Sequence, residues 1–178
     1  KSYIRGIVGA TSEELLKLVK SDAALRRHVR DAEFVTVTAG GNDLIQAAVQ
    51  KYVQGASKTM KPAMRRFRET YGELVEELVK LNRPDERGTS VILLGIYNPF
   101  PMFPDAVFWV NFVNRCVQRV AERYGPCVQA APVHMYFDGK EQELISDDGV
   151  HPNDRGHEAL AECVWETWAK ANASCVRL

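Results

Sequence analysis

The chain has 178 residues, 46% of them hydrophobic and 26% charged. That size suits one domain with a substantial core, and the composition excludes collagen-like and wholly disordered chains. Lys and Arg total 23, as do Asp and Glu, so the formal net charge is zero and bulk electrostatics offers nothing to nucleic acid or an anionic membrane.

No stretch reaches the roughly 18 apolar residues of a membrane span. The chain starts at Lys1, so the lack of a visible signal peptide says nothing about compartment. Short apolar runs alternate with longer helical patterns, which predicts an α/β domain with a mainly parallel sheet. Residues 3–8 read as a first strand. Thr11 and Glu14 form a capping-box pattern, and Leu15, Leu16, Val19 and Leu25 give the stripe of one following helix. Residues 34–38, rich in β-branched side chains, read as a strand that runs into Gly40-Gly41-Asn42-Asp43.

Residues 44–53 and 62–81 read as helices. Arg65, Arg66 and Arg68 sit among Glu69, Glu73, Glu76 and Glu77, the pattern of a solvated helix face. Residues 82–85 read as a turn. Residues 90–96 are continuously apolar after Ser90, as in a strand buried on both faces. Prolines 99, 101 and 104 then impose an extended loop. A helix over 105–124 ends at Gly125-Pro126, 127–133 is a strand, and a last helix runs from about 153 to 171. Cys116, Cys127, Cys163 and Cys175 contain no CxxC pair. They read as buried or incidental thiols, with a disulfide the open alternative.

Three short segments carry chemistry. In Asp147-Asp148-Gly149-Val150-His151-Pro152-Asn153 the glycine permits a bend that brings the Asp148 carboxylate to His151 Nδ1. The carboxylate fixes the tautomer and leaves Nε2 free to take a proton. The same residues also fit a helix-capping aspartate beside a surface histidine. In Gly40-Gly41-Asn42-Asp43 the glycines allow close backbone approach, and the Asn42 amide is a fixed donor of the kind an oxyanion hole uses. A turn with an Asx helix cap fits equally. Gly9, ahead of the Thr11 cap, offers a bare backbone N–H at a helix N-terminus. A metal site of Asp148, His151 and His157 is a further reading, but the spacing matches no standard ligand pattern.

Together and in this order, these segments resemble the SGNH hydrolases, also called GDSL esterases and lipases. Gly9 in "VGATSEELL" is similar to the family's second block, Gly40, Asn42 and Asp43 to its GxND block, and Asp148 and His151 to its DxxH block in the form "DGVHPN". "GIYNPF" looks like a bacterial branch. The resemblance covers nearly the whole chain. It implies a three-layer α/β/α sandwich with a flavodoxin-like parallel sheet, in a single domain over 1–178. It implies His151 as general base, Asp148 as its orienting partner, and Asn42 and Gly9 as oxyanion donors. Asp43 and Gly40 would support the loop. No cofactor or metal is implied, and the partner would be a small ester or acyl substrate.

The family's Gly-Asp-Ser block has no counterpart among the seven serines. The resemblance therefore implies that the nucleophile and first strand lie upstream of Lys1, in an N-terminal peptide of the same protein that completes the sheet. A non-catalytic SGNH-like module that binds acyl or glycan ligands is the alternative. The resemblance leans toward an exported or cell-envelope protein. His134 and His157 match no block and read as strand-end and helix-surface positions. Phe100, Met102, Phe103, Phe108 and Trp109 form an apolar patch, some of which is expected to line an acyl pocket, with Trp109 and its helix neighbours in the core.

Overall fold

The computed structural model describes residues 2–56 and 60–175, with side chains as far as residue 170. Strands β1 (Phe34–Thr38), β2 (Ser90–Leu94) and β3 (Val128–Ala131) form a parallel sheet in the order β1-β2-β3. Thr38 pairs with Leu94, and Leu94 with Ala131, so all three strands end level. The central strand β2 is buried along its whole length. Its period of two divides the core. Val91 and Leu93 face helices α1 (Ser12–Ser21), α4 (Met60–Asn82) and α6 (Pro104–Ala121), whereas Ile92 and Leu94 face α7 (His134–Phe137) and α9 (Asp154–Cys175). The result is helix, sheet, helix in three layers.

Local signals account for most elements. The Thr11–Glu14 capping box is present, with the Thr11 N–H donating to Glu14 Oε2 at 2.8 Å. Pro62 lies in the first turn of α4, where its missing N–H costs no helical hydrogen bond. Helix α3 (Gly41–Ala48) continues into a π-helical turn over Val49–Val53.

The sequence reading departs from the structure in several places. Residues 3–8 form no strand and are exposed, with Ile4 95% accessible. β-propensity becomes a strand only where a neighbour supplies the ladder, and no such neighbour is found among the described residues. The single helix expected after Thr11 is two, α1 and α2 (Ala23–Asp31). Asp22 closes the first and caps the second, its Oδ1 accepting from Ala24 N at 2.7 Å and Leu25 N at 2.9 Å. The turn expected at 82–85 leads into a one-turn helix, α5 (Pro84–Arg87), and His134 opens α7 instead of ending a strand. A third short helix, α8 (Glu141–Leu144), precedes the Asp148 loop. Cys116 and Cys163 are free and buried, but Cys127 is disulfide-bonded, a pairing that depends on spatial proximity and not on spacing. Ser57, and the side chains of Ser174 and Cys175, lie outside the described residues.

Candidate active site

The sequence-predicted residues fall into two groups, both on loops and helix starts. The first joins the start of α1 to the start of α3, just beyond β1. Gly9 has φ of +78° and is exposed, and among the described residues its N–H meets no acceptor. The Asn42 side chain reaches the same turn, with Nδ2 donating to the Ala10 carbonyl at 3.0 Å. The group carries two amide hydrogens, and among the described residues the second meets no acceptor. Asp43 ties the two helix starts together: Oδ2 accepts from Ser12 N at 2.9 Å and Oδ1 from the Ser12 hydroxyl at 2.6 Å.

Gly40 sets the position of Asn42 by packing. Its φ is +111°, in the left-handed region. A Cβ there would lie 2.9 Å from Val113 Cγ1 and 3.0 Å from the Phe67 ring, both side chains being fully buried. Only glycine lets the backbone turn into α3 this close to α4 and α6.

The second group is the loop between α8 and α9. His151 Nδ1 lies 2.6 Å from Asp148 Oδ2. The other carboxylate oxygen of Asp148 accepts from His151 N at 2.9 Å, Val150 N at 2.8 Å and the Ser146 hydroxyl at 2.8 Å. These bonds, the His151 and Val150 backbone N–H groups first, hold the carboxyl well below the usual carboxylate range. An ionised carboxylate accepts only, so the proton between the two side chains belongs to Nδ1 and the lone pair sits on Nε2. The His151 side chain is 75% exposed, and Nε2 meets no partner among the described residues. Asp147 is exposed and outside this network, and His157 lies on the exposed first turn of α9.

Other residues in this loop were not singled out by sequence. Ser146 N donates to the His151 carbonyl at 2.8 Å, and Ile145 bridges Pro152. Asn153 Nδ2 donates to Glu143 O at 2.8 Å, while its Oδ1 accepts from Gly156 N at 3.0 Å. Tyr97, three residues past β2, donates its hydroxyl to Val150 O at 2.7 Å. The Asn-Asp-x-Gly pattern at 153–156 was a visible cap signal, but nothing in the sequence linked Tyr97 to a loop more than fifty residues away.

The expected acyl-pocket residues lie on the surface. Phe100, Met102, Phe103 and Phe108 are exposed, and Trp109 packs half-buried against the core. Asp105 accepts from Tyr52 OH and pairs with Lys51 at 2.9 Å, which fastens the π-turn to the start of α6 beside them.

The model of the GDSL-like lipase/acylhydrolase family matches residues 1–159. The chain belongs to this family. Its relatives include the spore germination lipase LipC of Bacillus licheniformis, 27% identical over 154 residues that make up 86% of this chain and 71% of LipC. The uncharacterized protein YpmR of Bacillus subtilis is 26% identical over 175 residues, 96% of this chain and 66% of YpmR. Among solved structures, the lipase Lip_vut3 from a goat rumen metagenome aligns with a TM-score of 0.78 and 26% identity, over 88% of this chain and 73% of that one. The acetylxylan esterase Axe2 of Geobacillus stearothermophilus shares the fold at a TM-score of 0.64 and 20% identity, over 92% of this chain and 69% of that one. The GDSL/SGNH chain is thus a hydrolase by family and spans about two thirds to three quarters of the length of these relatives. No helix among its described residues is long and apolar enough to cross a membrane.

Proposed function

We propose that the chain carries the base, the orienting acid and the oxyanion donors of a serine esterase that cleaves carboxylic esters of small acyl groups. The observation that carries this reading is the 2.6 Å contact of His151 Nδ1 with Asp148, which leaves Nε2 open to solvent. A histidine so held removes a proton from an attacking hydroxyl and returns it to the leaving alcohol. The Asn42 amide and the Gly9 N–H, brought onto one turn, suit the oxyanion of the tetrahedral intermediate. Collapse expels the alcohol and leaves an acyl-enzyme, which water attacks after giving its proton to His151. The names of the similar proteins, a lipase and an acetylxylan esterase, support an ester as substrate.

None of the serines whose side chains are described is paired with His151 Nε2. Ser2 lies in exposed coil, Ser12 is spent on Asp43, Ser21 on Lys17 O, and Ser90 is buried in β2. Ser146 bonds Asp148 Oδ1, on the side of the carboxylate away from Nε2. The nucleophilic serine of this reading is none of these bonded or buried serines.

A fluorophosphonate probe tests the reading on the protein as produced. The expected result is hydrolysis of p-nitrophenyl acetate together with one labelled serine, located by peptide mass at none of Ser12, Ser21, Ser90 and Ser146. Acyl-ester binding without labelling or turnover would identify a non-catalytic module, and a label on Ser146 would overturn the assignment of the nucleophile.

Asn42→Ala should lower kcat by about 10²- to 10³-fold, the effect of losing one oxyanion donor worth ~2.7–4 kcal/mol, with KM little changed. Steady-state kinetics on p-nitrophenyl acetate checks it.

A further inference from the structure

We infer that Tyr97 is a positioning residue for the His151–Asp148 pair, acting through the peptide bond between Val150 and His151. The inference rests on the active-site reading above. The Val150 carbonyl and the His151 N–H belong to one peptide plane. In a trans peptide these two groups point in opposite directions. Tyr97 OH donates to the carbonyl at 2.7 Å, and Asp148 Oδ1 accepts from the N–H at 2.9 Å. The plane is therefore pinned at both ends. Its orientation sets where the His151 Cα lies and how Asp148 divides its oxygens, one to the backbone and one to the ring.

Among the described residues, Asp148, Ser146 and His151 bond only within their own loop. Tyr97 supplies this segment with a link to the sheet. Its anchor is rigid. Gly95 N donates to Ala131 O at 2.9 Å, extending the ladder past β2. Asn114 of α6 then clamps both sides of Ile96, accepting from its N–H at 2.7 Å and donating to its carbonyl at 2.9 Å. The Tyr97 ring stacks on Phe137 at 4.3 Å with the planes 12° apart, and Phe137 is 1% exposed. A side chain locked in this way loses little entropy when it holds the loop.

The hydroxyl is also kept as a donor. Burial first, and the Asp148 charge second, push its pKa up to about 12. Tyr97 stays protonated across any practical assay range, so its hold on Val150 does not vary with pH. The arrangement places the sheet's central strand, and not the loop alone, in control of the histidine.

The variant Tyr97→Phe removes the hydroxyl and keeps the ring on Phe137. The expected result is a kcat about tenfold lower with KM within twofold and melting temperature nearly unchanged. The ring ¹⁵N shifts of neutral His151 should also move from the Nδ1–H form toward a mixture of tautomers. Tyr97→Leu, which also loses the stack, should add a fall in melting temperature to the same kinetic defect. Unaltered kcat and unaltered ¹⁵N shifts in Tyr97→Phe would overturn the inference, as would a defect confined to KM. The ¹⁵N measurement needs no turnover. Full activity in His151→Ala would defeat the active-site reading, while the tautomer shift would still report whether Tyr97 holds the loop.

Discussion

His151→Ala lowers kcat for p-nitrophenyl acetate by on the order of 10⁴- to 10⁶-fold and leaves the melting temperature within a degree or two of wild type. The range is that of removing the base from a nucleophile–base–acid unit, whose members fail together. The fold survives because the side chain is 75% exposed and its structural bonds are made by its backbone. Asp148→Asn separates charge from shape. Its amide oxygen can still accept from Val150 N and His151 N, so the loop keeps its course. Its NH₂ would face Nδ1 and favour the Nε2–H tautomer, which carries no lone pair toward the nucleophile. A loss on the order of 10⁴-fold in kcat follows. Turnover near wild type in either variant would refute the pair as the catalytic base and its partner.

The sign of the pH effect follows from the same bonds. Asp148 is depressed in the folded protein, so its contribution to loop order is present above the ordinary carboxylate range and is lost only as pH falls through the lowered value. An acid limb in the pH–rate profile above about pH 4 therefore belongs to another group.

Gly156→Ala is the second large effect, and it acts on stability. Gly156 lies in the first turn of α9, where alanine would ordinarily be the better helix former by about 1 kcal/mol. Here a Cβ would overlap the Leu144 carbonyl oxygen and lie 2.8 Å from Pro152 Cβ. The first is rigid backbone that already accepts from Asn153 N at 2.9 Å. Relief requires α9 to move away from the loop that it closes. A loss of about 3 kcal/mol, the upper end of overpacking, lowers the melting temperature by roughly 6–12 °C for a chain of this size. Activity should fall with it, since Pro152 follows His151. Gly41→Ala, where a Cβ would meet nothing within 4 Å and φ is not positive, is the matched control and should be close to neutral. Equal melting temperatures for the two variants would show that the α9 contact is not tight.

Legibility in the sequence followed the range of the interaction concerned. The Thr11–Glu14 box, the β-branched run of β1 and the wholly buried run of β2 were all readable. Each depends on residues within a few positions, or on a period that the chain displays directly. The Asp148–His151 contact was readable for the same reason, as two residues three apart across a glycine. The break at Asp22 was local too, but a Ser-Asp pair inside a continuing apolar stripe was outweighed by the stripe. Residues 3–8 show the opposite error, in which strand composition without a pairing neighbour stays exposed coil.

The sequence by itself determined the family, the α/β alternation and the identity of the residues in both candidate half-sites. Each is written in short motifs whose chemistry depends on side-chain type and close spacing. Only the tertiary structure decided that Asn42 meets the Gly9–Ala10 turn, that Asp43 binds Ser12, that Gly40 and Gly156 are fixed by close packing, and that Tyr97 holds the histidine loop to β2. Those contacts join segments about thirty to seventy residues apart or, for Gly156, depend on how a helix seats against its own preceding loop. They exist only once the parallel sheet has set its strand ends level, because that alignment brings separate loops within reach of one another.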